Sequence, residues 1–100
     1  MTKVNLLVVE RNADWSEWDT ISRTFSSVLM LVQQADESSE VFHDRILRRM
    51  ARVEQHALDQ VVFLRDRNGA RSEPLSAPLL EQIDANARQG LRVYPCATAP

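Results

Sequence analysis

The chain has 100 residues, 44% of them apolar and 26% charged, with a formal net charge of −2. A chain of this length forms one domain that buries about 65% of its unfolded surface, and its apolar content excludes intrinsic disorder. The near-neutral balance gives no bulk attraction to nucleic acid or to an acidic membrane.

Lys3 to Glu10 is a short, β-branched-rich run, near-continuously apolar apart from Asn5. That character predicts a strand covered on both faces. Asp14 with Glu17 makes a capping-box-like start, and Trp15, Trp18, Ile21 and Phe25 recur at helical spacing. A short helix over 14–24 follows. The competing reading is a hairpin arm, because Thr20, Ile21, Thr24 and Phe25 also favour strands. The two tryptophans serve either as core anchors or as part of a binding surface.

Ser26 to Gln33 is the second strand. Its uninterrupted centre, Val28 to Val32, has the pattern of a central parallel strand. Asp36 and Ser38 are N-cap candidates for a helix over 38–57. Its apolar stripe runs through Phe42, Ile46, Met50, Val53 and Ala57. Residues 59–65 form the third strand, and Asn68-Gly69 marks a turn in an irregular loop over 66–76. The last helix covers 77–89, with Ser76 as cap, Pro78 in its first turn and Gly90 as its stop. Leu91 to Tyr94 is a fourth short strand.

This order predicts a small single-domain three-layer α/β sandwich with a four-stranded, mainly parallel sheet, in the sequence βαβαβαβ. The alternative is an α+β fold with an N-terminal β-hairpin. One domain over 1–100 is expected, with 96–100 as a flexible tail.

In an open parallel sheet, ligands bind beyond the carboxyl ends of the strands. That rule nominates Glu10, Asn12, Asp14, Gln34, Asp36, Asp66 and Asn68 as ligand-binding candidates. The acids among them could offer hard oxygen donors to magnesium, but Asp14 and Asp36 are also placed to cap helices. Phosphoacceptor receiver domains carry acids after their first strand and an Asp after their third. Here the paired acid after the first strand is missing and no lysine-bearing fifth strand follows, so that assignment does not transfer.

With two glycines in the chain, neither a P-loop nor a GxGxxG fingerprint exists. His43 and His56 with one cysteine do not make a tetrahedral metal set. No Ser-His-Asp triad has support, and no cofactor is called for.

Cys96 is the sole cysteine and the candidate catalytic residue, with Arg92 and loop arginines as cations able to lower its pKa. The segment Gly90-Leu-Arg-Val-Tyr-Pro-Cys-Ala-Thr98 resembles the helix, glycine, strand, cysteine ending of sulfur-relay proteins of the DsrE-like class. The resemblance covers about ten residues, and implies a thiol-dependent enzyme or sulfur carrier. Those proteins continue with a further helix and strand that this chain lacks.

Eleven of the twelve cationic residues are arginine, a bias that fits anion-binding forks and equally a GC-rich genome. Arg45, Arg48, Arg49 and Arg52 share one helix face by their spacing. They form a candidate interaction face for an acidic partner, or else a solvated face with local ion pairs. No apolar run approaches ~18 residues, so no membrane span is expected. The lack of a signal-peptide pattern and the lone cysteine make the cytoplasm the default. The leading functional expectation is a binding or regulatory module acting through protein contacts and self-associating, since a small four-stranded sheet leaves edges open. A small-ligand or anion binder at the carboxyl edge is the further alternative.

Overall fold

The computed structural model describes residues 4–11, 13, 15–16, 19, 22–23, 27–53, 57–65 and 74–94. Their elements are β1 (Val4–Val9), β2 (Val28–Val32), α1 (Ser39–Arg52), β3 (Leu58–Leu64), α2 (Ala77–Ala87) and β4 (Arg92–Tyr94). The four strands make one sheet in the order β2-β1-β3-β4, and every neighbouring pair is parallel. The fold is therefore a small α/β fold with an all-parallel sheet. The parallel β1–β2 pairing rules out the N-terminal hairpin, since parallel neighbours need a crossover between them. Most of residues 14–24, the expected first helix and third layer, lie outside the described residues; Asp19 and Ser22 within it have helical backbone.

The apolar run of β1 does what its composition dictates. Leu6, Leu7 and Val8 are completely buried, each contributing about 1.5–3 kcal/mol of hydrophobic stabilisation. Because strand side chains alternate, Leu6 and Val8 point to one face and Leu7 and Val9 to the other. On the first face they join Leu31, Val61, Phe63 and the buried stripes of α1 and α2, namely Phe42, Ile46, Met50, Leu79 and Ile83. On the second face Leu7 and Val9 pack with Val62, Leu64 and Ala13.

The helix termini follow local chemistry. Ser38 caps α1, its Oγ accepting from the Val41 N–H at 3.2 Å. The helix ends at Arg52 rather than at residue 57. Val53 and Ala57 keep their place against the core without being helical, which is why the apolar stripe overran the helix. Ser76 is the N-cap of α2, followed by Pro78 in the first turn. After α2, Gly90 takes φ +105°. This left-handed residue lets the Gly90 N–H reach the Ala87 carbonyl at 3.0 Å and the Leu91 N–H reach the Asn86 carbonyl at 3.1 Å. That pair of bonds satisfies terminal carbonyls and turns Leu91 into the core.

β2 departs from expectation. Its apolar run predicts a central strand, yet it lies at the edge of the sheet. Leu31 alone of its residues is buried.

Candidate functional site

Parallel strands bring the ends of β1, β2 and β3 to one rim, so Glu10, Gln34 and Asp36 do share the carboxyl edge. Asn12, Asp14, Asp66, Asn68 and Cys96 fall outside the described residues. What the rim holds is a closed hydrogen-bond network. Glu37, not singled out by sequence, is its hub. Its backbone carbonyl accepts from Gln33 Nε2 at 3.0 Å and from the Arg11 guanidinium. Its carboxylate accepts from the Gln34 N–H at 3.0 Å and from Arg45. Gln33 Oε1 accepts from the Arg11 N–H at 3.0 Å. Gln33 and Glu37 thus fasten the β2–α1 loop to Arg11 at the end of β1. Asp36 is exposed and makes no contact of this kind among the described residues.

Glu10 sits where the chain leaves β1, beside the end of β3, its backbone N–H on the Leu64 carbonyl at 3.0 Å. Its carboxylate forms an ion pair with Arg65. Burial pushes the Glu10 carboxyl up from its ordinary value, and the Arg65 guanidinium pulls part of the way back. Glu37 shows the reverse: the hydrogen bonds from Arg45 hold its carboxyl below the ordinary value against the cost of desolvation. Glu10 and Glu37 thus each have an arginine partner. Among the described residues, no group of three or more His, Cys, Asp or Glu is placed to hold a metal ion.

The arginine face of α1 is divided. Arg45 forks onto Glu37 with two bonds of 2.9 Å and stacks over the Phe42 ring at 5.2 Å. Arg48 pairs with Asp44 one turn earlier at 3.1 Å, an exposed pair of small energetic consequence. Arg49 is half-buried and Arg52 exposed. Arg52 also borders a cavity of about 400 Å³ with Met50, Val53, Leu58, Gln82 and Asn86. This cavity lies at the amino end of β3, opposite the rim that the strand-end rule nominates. His43 is buried in α1. Its Nδ1 accepts from the Ser76 N–H at 3.2 Å, which ties α1 to the start of α2.

β2 is an edge strand with an exposed apolar surface. Val28, Leu29, Met30 and Val32 are 36–49% exposed, and none carries charge. The backbone bonds at its two ends fix its polarity: the Asn5 N–H donates to Ser27 O and the Gln33 N–H to Val9 O. Odd-numbered residues therefore face β1, and Val28, Met30 and Val32 turn their N–H and C=O groups outward. Only the Val32 carbonyl is covered among the described residues. It accepts from Arg45 Nη2 at 2.6 Å and Gln34 Nε2 at 3.3 Å. Val41, one turn before Arg45 on α1, adds another exposed apolar side chain at 54%.

Among the described residues, no helix is long and apolar enough to cross a membrane. The chain matches no protein-family model, no curated protein and no solved structure.

Proposed function

We propose that this chain is a binding module that works through protein–protein contacts made by the open edge of β2, and that it self-associates there. The observation supporting this reading is the five-residue edge strand itself. Soluble proteins protect such edges with charge, proline, a bulge or a covering element. β2 has the sequence Val-Leu-Met-Leu-Val, with no charge and no proline, and its pairing with β1 runs without a bulge. An extended chain added to it would gain backbone hydrogen bonds and apolar contacts together. The carboxyl rim supports a ligand-handling reading less well, because Glu10 and Glu37 are paired with arginines and Gln33 braces the loop.

Sedimentation of the 11.4 kDa chain over a range of concentrations tests the reading, with Met30→Lys as the comparison. The wild type is expected to associate reversibly, and Met30→Lys to weaken association at least about tenfold while folding normally. A wild type that stays monomeric at millimolar concentration removes the reading, as does association indifferent to Met30→Lys.

A further inference from the structure

Resting on that reading, we infer that two copies pair β2 to β2 antiparallel about a twofold axis at Leu29, joining their sheets into one. Three observations lead there.

The first is charge. The nearest described charge before β2 is Arg23, and the nearest charge after it that lacks a partner among the described residues is Asp36; both are exposed. A parallel pairing sets Arg23 beside Arg23 and Asp36 beside Asp36. An antiparallel pairing sets each arginine flank against the other copy's aspartate flank, while the uncharged strands between them meet without repulsion. An antiparallel pairing is also the one that a twofold, self-complementary interface requires.

The second is the pattern of free backbone groups. Val28 and Met30 each present an N–H and a C=O to the open edge, following from the bonds at Ser27 and Gln33. Two registers pair both residues within the strand Val28–Val32. With the axis at Met30, that residue pairs with itself and Val28 pairs with Val32 of the other copy. With the axis at Leu29, Val28 pairs with Met30 of the other copy and Met30 with its Val28, each pair exchanging both of its bonds.

The third observation chooses between them. The Met30 register needs the Val32 carbonyl as an acceptor, and that oxygen already takes the Arg45 guanidinium at 2.6 Å. The Leu29 register leaves Val32 alone and consumes only groups that are free among the described residues. Arg45 thereby acts as a stop that fixes where pairing ends. On the outward face of each strand, Met30 of one copy lies over Val28 of the other, both exposed in the single chain.

Disulfide trapping tests the register. In a Cys96→Ser background, Leu29→Cys places two thiols opposite each other in a non-hydrogen-bonded pair, whose short Cα separation suits a disulfide. In a glutathione redox buffer it is expected to give mostly covalent dimer, with Met30→Cys at least about fivefold slower. Efficient trapping through Met30→Cys but not Leu29→Cys overturns the register and leaves edge association standing; a monomeric wild type removes both. Met30→Pro supplies a control on folding, since its lost N–H faces outward. It is expected to keep the wild-type circular dichroism and be monomeric. A dimeric, folded Met30→Pro chain also overturns the pairing.

Discussion

Arg45 and Glu37 are locked together by two hydrogen bonds of 2.9 Å, although eight residues separate them and only Arg45 lies in a helix. The fork works because the same guanidinium reaches the Val32 carbonyl and rests on Phe42. One side chain thus joins the edge strand, the rim loop and the first turns of α1. Arg45→Met keeps the apolar stem and deletes the fork. It is expected to lower stability by about 1–2 kcal/mol, the range for charge-assisted bonds discounted for partial exposure. Arg45→Lys keeps the charge but cannot form a bidentate pair, and is expected to lose most of the same stability. Urea midpoints of the three proteins check this; a lysine variant equal to wild type shows that charge alone is at work.

Glu37 and Glu10 shift in opposite directions, so acid must act on them with opposite sign. The carboxyl of Glu37 is held below its ordinary 4.5. Its contribution is present above that value and is lost as pH falls through the lower folded value. Glu10 is raised above 4.5. Its contribution is complete below that value and is lost as pH rises through the folded value. Relative to Glu37→Gln, wild type should therefore lose stability as pH falls below 4.5. Relative to Glu10→Gln, wild type should gain stability as pH falls towards 4.5 from above. Denaturation curves at several pH values measure both differences, and slopes of the same sign contradict the assignment.

The imidazole of His43 accepts a backbone proton at Nδ1, so its own proton sits on Nε2. His43→Phe preserves ring volume and strands the Ser76 N–H. A cost of about 1–3 kcal/mol is expected for the unsatisfied donor, read as a shift in thermal midpoint of roughly 4–8 °C per kcal/mol for a domain of this size. His43→Asn, with an acceptor oxygen on a shorter arm, should recover part of the loss. An unchanged midpoint in His43→Phe shows that water satisfies Ser76 equally well.

The parts of the fold legible in sequence were those that a single segment decides. The Leu6–Val9 run announced a strand buried on both faces, and both faces of β1 are buried. Gly90 announced a helix stop, and it adopts the left-handed conformation. Val28–Val32 carries the same signal as β1 but occupies the edge, because strand order is set by where crossovers run. An apolar run has no record of its neighbours. The rim shows the same division. Glu10, Gln34 and Asp36 were placed together by the parallel topology. Gln33, Glu37, Arg11 and Arg65 make contacts there with each other and with Glu10 and Gln34, across separations of up to 55 residues for Glu10 and Arg65. The His43–Ser76 contact spans 33 residues. No periodicity links such pairs.

Asn5 interrupts the apolar run of β1 and is buried. Its Nδ2 donates to the Ser27 carbonyl at 2.9 Å, but that oxygen already accepts the Asn5 backbone N–H at 3.0 Å. The side-chain bond is therefore redundant for Ser27. Meanwhile Asn5 Oδ1 is buried with no hydrogen-bond partner among the described residues. A buried acceptor left unmatched costs about 1–3 kcal/mol, whereas a neutral bond to an oxygen already satisfied returns about 1 kcal/mol. Asn5→Leu removes both, keeps the branched four-atom shape of the side chain, and continues the apolar face of Leu7 and Val9. It is expected to raise stability by about 1 kcal/mol, seen as a higher urea midpoint at unchanged slope. A destabilised Asn5→Leu, with the β1–β2 pairing loosened in amide exchange, would instead make the side-chain bond the clasp that holds the start of the edge strand.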